Sequence, residues 1–198
     1  MLPSDLIAFE TKVLGYVASG AITGPTHLSG GNEERLISIF HQHVAKNDWV
    51  FSTWRWHYHA LLHGVPPDEI LHHLRTKFTM NFHSEERRFF TSAIAGGILP
   101  IACGVAAGLK AKGATQRVHC FVGDMTSMMG VFYEVARFAQ GHGLPLSIYV
   151  EDNGFSTDTP TQATWGLREV SKVVERYPYT RTFPHMQRSP LSPIRKSL

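Results

Sequence analysis

Two cysteines in 198 residues are too few for a disulfide framework. Cys103 and Cys120 both lie in apolar surroundings and are expected to be reduced core residues of a cytoplasmic protein. No stretch approaches the roughly 20 apolar residues needed to cross a bilayer. The first residues lack a basic segment followed by an apolar run, so no signal peptide is expected. The formal net charge is only +3, and no basic stripe interleaved with aromatics is present, which argues against a nucleic-acid partner. No phosphate-binding P-loop lies between Gly113 and Gly123, and no serine nucleophile elbow appears. Twelve histidines are present, but the close pairs His41/His43, His57/His59 and His72/His73 lack the carboxylate spacing of a metal motif.

The chain does have enough apolar sequence, 43%, for one domain with a full core. Helices are expected over about 4–19, 33–45 and 66–77, the last opening on Pro66-Pro67-Asp68-Glu69. Trp49-Val50-Phe51 is a short apolar run before the cluster Trp54-Arg55-Trp56-His57-Tyr58-His59. Residues 78–92 are polar and read as a loop. Residues 93–112 are so rich in glycine and alanine that another helix or a ligand should approach their backbone closely. Val118–Val122 and Pro145–Val150 read as buried strands separated by a helix over 126–140. That is a βαβ unit, and it predicts an α/β fold with a parallel sheet flanked by helices. The domain is expected over 1–176. The Pro- and Arg-rich tail over 177–198 is expected to be disordered or an extended arm on a partner.

Gly123-Asp124-Met125 and Glu151-Asp152-Asn153 each follow one of those strands, with Asp124 and Asn153 29 positions apart. Ligands of parallel sheets sit at the carboxyl ends of the strands. A carboxylate and an amide oxygen meeting there suit a hard divalent cation with room left for phosphate oxygens. The expected magnesium ligands are the Asp124 carboxylate, the Asn153 amide carbonyl and a main-chain carbonyl near Phe155. Backbone N–H groups after Asp124, with the Thr126 and Ser127 hydroxyls, would face a diphosphate.

These residues resemble the thiamine-diphosphate motif, Gly-Asp-Gly through to Asn-Asn, of enzymes using that cofactor. The chain is similar in particular to the alpha subunit of 2-oxo acid dehydrogenases of the pyruvate and acetoin type. Gly130, Glu134, Leu144-Pro145 and Glu151 fall in register between the two ends of the motif. Upstream, Gly20-Ala21-Ile22-Thr23-Gly24, His27-Leu28-Ser29, Gly31-Asn32-Glu33, Asp48 to His57, His63-Gly64-Val65, Glu69-Ile70-Leu71 and Ala93-Ile94-Ala95-Gly96 follow the family's order. The likeness is collinear over roughly 5–165.

The resemblance implies a thiamine-diphosphate-binding fold, with thiamine diphosphate and Mg2+ as cofactors. It implies that Arg55 holds the diphosphate and that Trp54 stands where a tyrosine normally touches it. Gly123, Asp124, Met125, Thr126, Asn153 and Phe155 would line the diphosphate and metal site. Ala93 and Ala95 match positions whose backbone meets the aminopyrimidine, and His57 matches an active-site histidine suited to proton transfer or substrate orientation. The implied activity is that of an oxidoreductase, decarboxylating or cleaving a small-molecule 2-oxo acid or acyloin and transferring the acyl unit. The glutamate that activates the cofactor comes, in that family, from a beta-type subunit, so an α2β2 heterotetramer is implied. Met125 departs from the third glycine of the motif, and no match to the family's later histidine loop follows Trp165. Two other readings stand beside this one: a non-catalytic assembly subunit retaining the fold, and a split transketolase-like enzyme.

Overall fold

The computed structural model describes residues 1–166, 175–183, 185–187 and 195–197. Helix α1 (Pro3–Ser19) carries Leu6, Phe9, Val13 and Val17 on its buried side, at the three- and four-residue spacing of one helix face. It stops at Gly20, which takes the left-handed φ of 81°. Helix α2 (Glu33–His43) buries Leu36, Ile39 and Phe40. Strand β1 (Trp49–Ser52), the short helix α3 (His57–Leu62) and α4 (Pro67–Thr76) follow. α4 starts on a proline, with Asp68 and Glu69 in its first turn, where both are favoured.

The segment expected to be a loop over 78–92 contains two strands, β2 (His83–Ser84) and β3 (Phe89–Thr91). β3 runs parallel to β1, pairing Val50 with Phe89 and Ser52 with Thr91. Next come α5 (Ile98–Ala111) and β4 (Val118–Gly123). The helix expected over 126–140 is two helices, α6 (Asp124–Ser127) and α7 (Gly130–Gly141), separated at Met128-Met129. Strand β5 (Leu146–Asp152), the small pair β6 (Phe155–Ser156) and β7 (Thr159–Pro160), and α8 (Thr161–Trp165) lead to β8 (Glu175–Pro178).

β8 pairs parallel with β5, matching Glu151 to Tyr177, and Tyr177 is buried. The boundary expected at 176 therefore falls inside a strand of the main sheet. Beyond it, β9 (His185–Gln187) and β10 (Arg195–Ser197) pair antiparallel with each other. Within the tail, residues 184, 188–194 and 198 lie outside the described residues.

The sheet order is β2-β3-β1-β4-β5-β8, parallel throughout except for the β2–β3 pair. The chain leaves β1 towards β3 and then crosses back to β4. That reversal opens a crevice between the carboxyl ends of β1 and β4, the usual ligand position of open parallel sheets. Side chains alternate across the sheet into two cores. Phe121, Tyr149 and Val50 pack with Trp56, Tyr58 and helices α1 to α4. Cys120, Val122, Ile148 and Phe51 pack with Phe132, Ala102 and Ile98 of α5 and α7. Each large side chain fully buried this way contributes about 1.5–3 kcal/mol.

Both cysteines are free and buried. Among the described residues no helix is long and apolar enough to cross a membrane. The close approach expected in the small-residue stretch occurs at Gly96, where φ is 75° and a Cβ would sit 2.9 Å from Val131 Cγ1. A Cβ at Gly104 or Gly108, by contrast, would have nothing within 4 Å.

Candidate functional site

Four loops converge at the carboxyl ends of the parallel strands. Thr53-Trp54-Arg55 follow β1, Ala95 lies beyond β3, Gly123 to Thr126 follow β4, and Asn153 and Phe155 follow β5. Trp54, Arg55, Ala95, Gly123, Asp124, Met125, Thr126, Asn153 and Phe155 line one narrow cleft, with a cavity volume of about 60 Å³. Roomier hollows of about 640 and 890 Å³ lie elsewhere, one near the amino ends of β4 and β5 and one beside α4. Neither gathers the expected metal and phosphate ligands.

Asp124 is 1% exposed. Its Oδ2 accepts a hydrogen bond from the Thr161 hydroxyl, while its Oδ1 is buried with no hydrogen-bond partner. Burial pushes its carboxyl above the usual range, the Thr161 bond offsets part of this, and Asp152 nearby pushes it further up. An unpaired buried carboxylate oxygen costs about 1–3 kcal/mol. A cation at Oδ1 would reverse that cost.

Asn153 Oδ1 accepts the Phe155 N–H at 2.9 Å, a side-chain turn that leaves one lone pair of the amide oxygen. β5 and β4 pair in register up to Gly123 and Glu151, so Asp124 and Asn153 emerge from adjacent strand ends. The helix that begins at Asp124 is a single turn, so its N–H groups rather than a long-helix dipole would face an anion.

Arg55 is 8% exposed. Its Nη1 donates to the Leu28 carbonyl at 2.5 Å. No carboxylate among the described residues forms an ion pair with it. Burial lowers the pKa of its guanidinium, so an anion in the cleft would compensate a desolvated charge. The loop that holds Arg55 is itself fixed from below. The Ser29 N–H donates to Glu10 Oε1 at 3.2 Å, and Glu10 is fully buried.

His57 and Ala93 do not line the cleft. His57 is fully buried in the first turn of α3, with Nδ1 3.2 Å from Glu10 Oε1 and the Trp56 ring edge-on at 4.8 Å. It shares Glu10 Oε1 with the Ser29 N–H, and its buried Nε2 has no hydrogen-bond partner. The N–H of Ala93 is taken by Asn81 Oδ1 at 2.8 Å, which turns that backbone towards the 78–92 segment. Met125 lines the cleft, and its sulfur lies 2.9 Å from Trp165 Nε1. Trp54 faces the His27 ring at 6.0 Å.

Two residues of the site, Thr161 and Tyr179, carry no mark in the sequence motif, and a third, Glu151, stands in the motif without its structural part being legible there. Thr161 is fully buried and holds Asp124. Glu151 accepts from Asn32 Nδ2 and from the Tyr177 hydroxyl, both at 2.9 Å, which ties β5, the Asn32 loop and β8 together. Tyr179 reaches into the cleft from the segment after β8. The alternation of Tyr177 and Tyr179 around Pro178 was the available signal for that strand.

The sequence profile of the dehydrogenase E1 component family matches residues 6–179. The chain belongs to that family. The match runs past the last likeness legible by eye and takes in β8 and Tyr179. Among curated relatives of this E1 chain, the alpha subunit of acetoin:2,6-dichlorophenolindophenol oxidoreductase from Bacillus subtilis (strain 168) is 28% identical over 166 residues, 79% of this chain and 50% of that one. The pyruvate dehydrogenase E1 component alpha subunit of Rickettsia bellii (strain RML369-C) is 28% identical over 179 residues, 85% of this chain and 55% of that one. This E1 chain thus spans about half the length of the curated relatives it matches. A solved structure from Mycobacterium smegmatis, described as a candidate thiamin diphosphate-dependent enzyme, is 19% identical with a TM-score of 0.44, over 64% of this chain and 21% of that one.

Proposed function

We propose that this E1 chain forms the diphosphate- and magnesium-holding half of a thiamine-diphosphate-dependent 2-oxo acid dehydrogenase, as an alpha-type subunit. The observation that carries the reading is the buried, unpartnered Oδ1 of Asp124 in a cleft shared with Asn153 and the desolvated guanidinium of Arg55. Oxygen ligands of this kind fit Mg2+, which keeps open positions for phosphate oxygens. Asp124, the Asn153 amide oxygen and the main chain at Phe155 would hold the metal. Arg55, the N–H groups after Asp124 and the Thr126 hydroxyl would hold the diphosphate, and Trp54 and Met125 would flank it. Ala95 would present backbone to the rest of the cofactor.

When bound, thiamine diphosphate supplies a nucleophilic carbon and an electron sink for decarboxylation or carbon–carbon cleavage next to a carbonyl. This chain's residues hold and orient it and form one wall of the pocket. The activating glutamate would come from a beta-type subunit in an α2β2 assembly. The substrate class is a small 2-oxo acid or an acyloin, as the names of the curated relatives suggest. A second reading, a non-catalytic assembly subunit, draws support from Met125, whose side chain stands beside Asp124 and packs on Trp165.

Calorimetric titration of thiamine diphosphate with Mg2+ into the chain co-expressed with a beta-type subunit separates the two. The enzyme reading expects saturable, magnesium-dependent binding and turnover of a 2-oxo acid or acyloin. Absence of binding by any such assembly overturns it and favours the scaffold.

A further inference from the structure

The segment after β8 lies across the cleft and is fastened to both of its sides. On one side, the Tyr179 N–H donates to the Asp152 carbonyl at 2.9 Å, and Arg181 Nη1 donates to the Thr157 carbonyl at 3.2 Å. Thr157 is β-branched yet holds a φ of 52°, a conformation that needs such an external tie. On the other side, the Thr182 N–H donates to the Gly30 carbonyl at 3.2 Å. Gly30 and Gly31 have φ of 96° and 92°, and a Cβ on Gly31 would collide with the Thr180 carbonyl oxygen. The Gly30-Gly31 turn is therefore shaped to receive this segment. It continues directly from Leu28 and Ser29, the residues that hold Arg55.

Tyr179 is the residue of this segment that reaches the cleft. Its side chain lines the cleft with Arg55, Asp124 and Asn153. Asn153 Nδ2 donates to its hydroxyl oxygen at 3.4 Å, which leaves the phenolic proton for another acceptor. We propose that residues 179–183 form a roof over the anion end of the cleft, and that the Tyr179 hydroxyl donates a hydrogen bond to the bound diphosphate. Burial and the nearby Glu151 raise the pKa of the phenol, so the hydroxyl stays neutral and protonated across the physiological range. It complements Arg55, which brings charge to the same cleft.

This assignment rests on the diphosphate reading of the cleft, and its test separates the two. Magnesium pyrophosphate and magnesium thiamine diphosphate are titrated calorimetrically into the chain co-expressed with a beta-type subunit, as wild type and as Y179F. The wild type is expected to bind both, and Y179F to bind both about tenfold more weakly with an unchanged melting temperature, the usual worth of a hydrogen bond to a charged group. Wild-type binding that Y179F leaves untouched overturns the donor role alone. Wild-type binding of neither anion overturns the cleft reading and the roof with it. A second measurement on the wild type does not depend on how the variant folds. Magnesium pyrophosphate is expected to slow tryptic cleavage after Arg181, followed by mass spectrometry, at least fivefold. An unchanged cleavage rate in the presence of bound pyrophosphate overturns the roof.

Discussion

Asp48 and Asp124 are buried aspartates at opposite ends of the same sheet, and the structure treats them in opposite ways. Asp48 stands before β1, at the amino ends of the strands. Its carboxylate accepts the Arg117 N–H at 2.8 Å and the Ala45 N–H at 2.9 Å, and lies 3.1 Å from His119 Nε2. Burial alone would raise its pKa, but these bonds outweigh burial and the carboxyl lies below its usual range. Asp124, at the carboxyl ends, has one hydroxyl partner and a raised pKa. Asp48 stabilises this fold, whereas Asp124 costs it stability. A cost of that kind at a strand end is what the proposed cofactor site would require of Asp124.

The comparison can be broken first at Asp48. Asp48→Ala should destabilise the protein by about 2–4 kcal/mol at neutral pH, because two backbone donors and the buried His119 ring lose their partner. A carboxyl with a depressed folded pKa gives its full stabilisation above the unfolded value near 3.8 and loses it as pH falls below that value. The deficit measured by denaturant melts should therefore shrink only in strong acid, with cofactor affinity within about twofold of wild type. A neutral effect on stability would remove the structural half of the contrast.

Arg55→Lys sharpens the other half. It keeps the charge but removes the planar fork. Affinity for thiamine diphosphate should fall roughly tenfold or more, by calorimetry, with little change in melting temperature. Equal affinity would mean that the guanidinium serves only its bond to Leu28.

Thr161→Val tests the smallest effect. The hydroxyl lowers the Asp124 pKa, so its loss should move the acid limb of magnesium-dependent binding to higher pH and weaken binding a few-fold near neutrality. An acid limb that stays in place would show that Thr161 only packs.

The two ends of the site differed in how legible they were in the sequence. Asp124 and Asn153 could be placed because β4 and β5 are continuous apolar runs, as fully covered parallel strands are. β3 could not, because three residues carry no periodicity and Glu85 to Arg88 before it read as solvated loop. Arg88 in fact turns there with a φ of 51°. β8 was hidden by Pro178. That strand is at the edge of the sheet, where a missing N–H is tolerated. The hydrogen bond from Thr161 to Asp124 spans 37 residues and leaves no local pattern. His57 shows the reverse problem. Its position in a motif suggested the cleft, but the packing of α3 against Phe9 and Trp56 turns it into the core.

The most direct test replaces the unpaired carboxylate by its neutral isostere. A carboxyl whose folded pKa is raised stabilises the protein fully only below the unfolded value near 3.8, and that contribution is lost as pH rises through the folded value. Melting and calorimetry of Asp124→Asn at pH 7 should thus show a more stable protein, by about 1 kcal/mol, that has lost magnesium-dependent thiamine diphosphate binding. A variant that is less stable than wild type and still binds the cofactor would contradict the account.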